Sequence, residues 1–127
     1  MLLAAPRRLA VAAGALLGAS AVMLGAFGAH ALSGRLPPQQ AGWWRTAVDY
    51  QMWHALALLG VGALALPRAR LTAILFGVGT LIFSGTLYAM AIGAPHWLGA
   101  ITPIGGLLLI GGWLLLAWSA LRGSARQ

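Results

Sequence analysis

The sequence predicts an all-α membrane protein, a four-transmembrane-helix bundle running up-down-up-down. Three observations carry this. Hydrophobic residues make up 61% of the chain, with 18 glycines besides, while only 7% of residues are charged. A soluble domain carries roughly 25% charged residues, so these charges are too few to coat a water-facing surface, and lipid is the implied solvent. The apolar residues gather into four stretches at 9–32, 47–66, 71–92 and 98–121, and a helix needs roughly 20 residues to cross a bilayer. The breaks between them hold Pro37-Pro38, Pro67 and Pro95. A chain this short is expected to form one membrane domain over 1–127.

The first span follows the short head Pro6-Arg7-Arg8. Its apolar run is longer than the roughly 7–15 residues of a signal peptide, so a retained helix is preferred to a cleaved leader ending at Ala29-His30-Ala31. Gly14, Gly18, Ala21, Gly25 and Gly28 recur every three or four residues, which places them on one smooth helical face for a neighbouring helix. That neighbour is expected within the chain rather than in a second copy. Ser33-Gly34 ends the span, because glycine takes the left-handed capping conformation at little cost.

Pro37-Pro38 allows the next helix to start. Gln39 to Thr46, with Trp43, Trp44 and Arg45, reads as a short interfacial helix running into the second span. Pro67-Arg68-Ala69-Arg70 is a hairpin connection, and Gly93-Ala94-Pro95 turns the third span into the fourth. Thr102 is a candidate N-cap with Pro103 in the first turn. Trp43, Trp44, Trp53, Trp97 and Trp118 read as belt residues at the membrane boundaries, and Trp113 as lipid-facing filler.

The basic side chains are eight arginines, never in a run, against one acid, Asp49. Nucleic acid is therefore not an expected partner; the lipid bilayer is, with another membrane protein as a second candidate. With four spans, Arg7, Arg8, Arg68, Arg70, Arg122 and Arg126 fall on one side and Arg35 and Arg45 on the other, so both termini are expected in the cytoplasm. Without cysteine, disulfides, thiolate metal sites and cysteine nucleophiles are excluded. Phosphate-binding and nucleophile-elbow motifs are lacking too.

Four motifs in register are more specific than any one of them. They are Gly25-Ala26-Phe27-Gly28-Ala29-His30, Tyr50-Gln51-Met52-Trp53-His54-Ala55-Leu56-Ala57, Leu81-Ile82-Phe83-Ser84-Gly85-Thr86-Leu87-Tyr88, and Leu98-Gly99-Ala100-Ile101-Thr102-Pro103-Ile104-Gly105-Gly106. Together they resemble the family called domain of unknown function 423, the YgdD-like small membrane proteins. The resemblance runs from about Leu16 to Leu121. It implies a four-helix, multi-pass inner-membrane protein and brings no activity, substrate or cofactor. It also implies that His30, Gln51, His54, Ser84, Tyr88, Thr102 and Pro103 occupy motif positions.

The topology gathers the unusual polar residues. His30 ends span one; Tyr50, Gln51 and His54 share one face near the start of span two; Ser84 and Tyr88 lie late in span three; Thr102 begins span four. All fall in the outer half, leaving the inner half nearly featureless. Asp49 is four residues after Arg45, the spacing of a weak interfacial ion pair. His54 has three readings. It is a neutral imidazole bonded to a neighbouring helix at Ser84, Tyr88 or Thr102; or one wall of a pocket for a lipid headgroup or quinone; or, with His30, a haem ligand. Zinc at His30, His54 and His96 lacks a paired histidine motif. The leading expectation is a non-enzymatic accessory or partner-binding membrane protein with no metal and no cofactor; the alternative is a quinone- or haem-binding module built on His30 and His54.

Overall fold

A computed structural model describes residues 3–123. Four long helices follow one another: α1 (Ala5–His30), α2 (Pro38–Ala63), α3 (Ala69–Ala91) and α4 (Thr102–Gly123), with a short 3-10 turn at His96–Ala100 before α4. No strand occurs among the described residues. The helix starts follow the prolines: α1 and α2 both carry proline in their first turn, where the missing N–H costs nothing. The glycine stops hold as well, since Gly34 and Gly93 adopt positive φ of 72° and 112°. Between α2 and α3 the turn is made at Arg68, a non-glycine residue at φ 61°.

Consecutive helices pack antiparallel. At one end of the α1–α2 pair Arg7 Nε and Nη2 donate to the carbonyls of Gly62 and Ala63 at 2.8 and 3.1 Å. At the other end Gly28 lies against the Trp44 indole. α2 packs on α3 and α3 on α4, while α1 also touches α3. Among the described residues α4 makes no close backbone approach to α1 or α2. The bundle is therefore a cluster of α1, α2 and α3 with α4 appended to α3. Ala10, Leu58, Val61, Phe76 and Leu109 form one buried cluster, and Ala47, Leu87 and Met90 a second.

Small residues bring the backbones close, as the face on α1 predicts. A Cβ on Gly14 would stand 2.7 Å from the Ala55 carbonyl oxygen of α2. At Gly18 it would meet only an ordinary contact, 3.8 Å from the Ala55 Cβ. The neighbour that uses this face is thus the chain's own α2.

Two boundaries differ from the expectation. Gln39 to Thr46 is not a separate short helix but the opening of one continuous 26-residue α2. α4 begins at Thr102 itself, so that residue is helical rather than a cap. Three helical segments are long and apolar enough to cross a membrane, Ala5–His30, Ala69–Ala91 and His96–Arg122. α2 has the length, but Arg45, Asp49, Gln51 and His54 dilute its apolar character, and it is not among the three.

Candidate functional site

The early start of α2 moves its polar residues inward. Counting from Pro38 at about 1.5 Å per residue, His54 lies about 24 Å along a helix about 39 Å long. Gln51 and His54 are thus mid-helix, and both are buried at 4% exposure. They point to different neighbours.

Gln51 joins three helices. Its Nε2 donates to the Leu17 carbonyl of α1 at 2.9 Å and to Ser20 Oγ at 2.7 Å. Its Oε1 accepts from the Tyr88 hydroxyl of α3 at 2.7 Å. A backbone carbonyl can only accept, so the amide orientation is fixed by Leu17. Ser20 in turn donates to its own helix, at the Leu16 and Leu17 carbonyls.

His54 joins α2 to α4. Its Nδ1 lies 2.7 Å from the Tyr50 carbonyl oxygen, and its Nε2 lies 3.0 Å from Trp113 Nε1. The carbonyl needs a donor and the indole N–H needs an acceptor. Both are satisfied by the neutral imidazole with its proton on Nδ1, so the two neighbours select one tautomer. The ring also packs on Phe76, whose own ring meets Trp113 at 4.9 Å between centroids. This is a hydrogen-bonded side-chain bridge across the gap between α2 and α4. Trp113 is therefore not lipid-facing filler, although it is 46% exposed. We expect a nitrogen-15 spectrum of histidine-labelled protein to show His54 protonated at Nδ1. Trp113→Phe is expected to shift the Nε2 resonance and to destabilise by about 0.6 kcal/mol, with about 1.7 as the ceiling for such a bond.

The other predicted residues separate. Ser84 donates to the Ala47 carbonyl at 2.7 Å, tying α3 to α2. Thr102 meets Thr86 at 2.6 Å, tying α4 to α3. None of Ser84, Tyr88 and Thr102 is the partner of His54; Trp113 is. Tyr50 packs at a tilt against Phe83, 4.4 Å between ring centroids, and offers His54 its carbonyl. His30 is exposed at the end of α1, apart from this network. Among the described residues no three His or Asp side chains gather. Arg45 and Asp49 lie one turn apart on α2, both exposed and both on the wall of one cavity.

Three further residues correct the expectation. Trp44 is buried, and its Nε1 donates to the Leu24 carbonyl of α1 at 2.9 Å, so it locks helices rather than marking a boundary. Thr80 and Ser119 carry buried hydroxyls without a hydrogen-bond partner among the described residues. With Ser20 and Thr72, they show that polar groups are not confined to one half of the helices.

The family described as protein of unknown function DUF423 matches residues 24–106. The chain belongs to this family. Within it, a membrane protein of Haemophilus influenzae named UPF0382 is 43% identical over 111 residues, covering 85% of this chain and 90% of that one. The UPF0382 inner membrane protein YgdD of Escherichia coli K12 is 36% identical over 105 residues, 80% of each chain. The UPF0382 membrane protein YwdK of Bacillus subtilis is 39% identical over 107 residues, 80% of this chain and 87% of that one. No solved structure matches the chain. These relatives and the three spanning-length helices make this DUF423 member a multi-pass membrane protein. The matched residues hold every predicted polar residue, including Gln51, His54 and Tyr88, while Ser20 and Trp113, which complete the network, lie outside them.

Proposed function

We propose that the protein is a non-enzymatic accessory protein of the inner membrane. In this reading the polar network is an interhelical clamp, and the protein acts through its lipid- and partner-facing surface. One observation carries it: Gln51 and His54, the side chains best suited to chemistry, have their hydrogen-bonding groups taken up by neighbouring helices. A histidine that donates from Nδ1 and accepts at Nε2 has no lone pair left for a metal, haem or substrate proton. Haem or quinone at His54 would first have to displace Trp113. A clamp of this kind suits a helix whose polar residues would otherwise face lipid unpaired.

The same reading takes α2 as the fourth span, with both termini in the cytoplasm. It is supported by the antiparallel packing of α2 along α1, from Arg7 against Gly62 to Gly28 against Trp44. Two helices paired over that length occupy the same depth. Asp49 and Arg45 then lie toward one membrane surface.

The test uses protein purified in mild detergent. The wild type is expected to show no Soret band and no stoichiometric quinone in its organic extract. His54→Phe keeps an aromatic ring, slightly larger than imidazole, and removes both hydrogen bonds, so it is expected to cost about 1 kcal/mol in stability without changing the absorbance or the extract. A chromophore that co-purifies with the wild type and is lost in His54→Phe would replace the clamp by a ligand-binding site. Active periplasmic reporters fused to the C-terminus would overturn the orientation.

A further inference from the structure

A cavity of about 460 Å³ opens between the end of α1, the connection 31–37 and the first half of α2. It is separate from the clamp, and the argument about it does not rest on the clamp reading. Its α2 wall carries charges of both signs, Arg45 and, one turn later, Asp49. Asp49 is the one acidic side chain in the sequence. Both residues are exposed, so neither charge is shut off from a ligand.

The facing wall is the carbonyl end of α1. The last four carbonyls of a helix lack intrahelical donors. Here the Phe27 carbonyl accepts from the backbone N–H groups of both Ala31 and Leu32. Among the described residues those of Gly28, Ala29 and His30 receive no backbone donor. Gly28 and Ala29 line the cavity. A helix C-terminus carries a partial negative charge, so this end and the Asp49 carboxylate together form a corner that favours a cation rich in N–H donors. Arg45 supplies the opposite preference, and a guanidinium is matched to phosphate. Ser33 adds a hydroxyl, and Leu32 an apolar side.

A simple anion is drawn to Arg45 and repelled by Asp49, and a simple cation the reverse. A ligand with a phosphate and an ammonium a short link apart satisfies both, since side chains at this helical spacing are about 5–6 Å apart at Cβ. A primary ammonium offers three N–H donors to a carboxylate and free carbonyls; a quaternary one offers none. The cavity opens at the end of α1 and the connection 31–37, and a helix long enough to cross a membrane ends at the level of lipid headgroups. We propose that this cavity binds the headgroup of phosphatidylethanolamine, its phosphate on Arg45 and its ammonium between Asp49 and the end of α1.

Native mass spectrometry tests this on full-length protein equilibrated in mixed micelles with equal amounts of phosphatidylethanolamine, phosphatidylcholine and phosphatidylglycerol. The wild type is expected to retain phosphatidylethanolamine over phosphatidylcholine by about tenfold, the worth of one charge-assisted hydrogen bond. Asp49→Asn is expected to bring that preference within about twofold at unchanged melting temperature, because the side chain is exposed. Arg45→Gln is expected to reduce retention of both zwitterionic lipids together, and Arg122→Gln to leave the preference intact. Equal retention of the two lipids by the wild type, or a preference that survives Asp49→Asn, overturns the proposal. Displacement of the lipid by an equal concentration of glycerophosphoethanolamine would assign the cavity to a soluble zwitterion and overturn the lipid assignment.

Discussion

Gln51→Leu is expected to lower the unfolding free energy by roughly 2–4 kcal/mol, the largest effect of any single polar substitution in this chain. Three hydrogen bonds are lost, to Leu17, Ser20 and Tyr88. Interhelical bonds in membranes average about 0.6 kcal/mol each and reach about 1.7. The partners are not affected equally. The Leu17 carbonyl keeps its place in the α1 ladder, and Ser20 keeps its bonds to Leu16 and Leu17. The Tyr88 hydroxyl, partly buried, is left with no other partner among the described residues, and a donor orphaned there costs toward the lower end of the about 1–3 kcal/mol of a fully buried one. It follows that Tyr88→Phe should be milder than Gln51→Leu. The double variant should be more stable than additivity predicts, by about 1–2 kcal/mol. Reversible unfolding in a fixed detergent measures all four corners of this cycle. Strict additivity would mean that the Gln51–Tyr88 bond contributes nothing to the fold.

The number, order and rough extent of the helices were legible because each is a long apolar stretch bounded by proline or glycine. The glycine face of α1 was legible for a related reason, since periodicity alone decides which residues share a side of a helix. The start of α2 was not. Hydropathy marks where polar residues stop, near Ala47, but a helix starts where backbone hydrogen bonding starts, at Pro38. That difference of nine positions carried Gln51 and His54 from near the start of the helix to its middle. Polar groups in the middle must be answered by neighbouring helices, which is why every bond of Gln51 leaves its own helix. The identity of the answering groups was beyond sequence reasoning. Trp113 stands among leucines on α4, 59 positions from His54, and nothing in its local pattern separates a hydrogen-bonding indole from lipid-facing filler. Its role depends on how α4 seats against α3, where Gly79 and Gly105 bring the two backbones close.

Gly105→Ala is expected to be as damaging as loss of the Gln51 bonds, at about 3 kcal/mol, the upper end of ordinary overpacking penalties. A Cβ at Gly105 would stand 2.5 Å from the Phe83 backbone nitrogen, 2.9 Å from its Cα and 2.9 Å from the Gly79 carbonyl oxygen. Each of these is backbone of α3, so no side chain can rotate out of the way, and α4 must move off α3. Gly79 meets the same limit from the other side, with the Gly105 carbonyl oxygen 3.1 Å from where its own Cβ would be. Gly77 and Gly85, also on α3, have no neighbouring atom within 4 Å of a built Cβ. Alanine at either is expected to be neutral or to stabilise by up to about 1 kcal/mol through helix propensity alone. The comparison therefore separates close approach from propensity on one helix. It also ties packing to the clamp, because moving α4 carries Trp113 away from His54 while leaving both residues in place in the sequence. Gly105→Ala should thus reproduce the His54 Nε2 shift of Trp113→Phe, and Gly85→Ala should not. If Gly105→Ala unfolds within about 0.5 kcal/mol of the wild type, the typical range for a neutral substitution, the α3–α4 crossing is looser than these distances require and the indole–imidazole bond is not held by it.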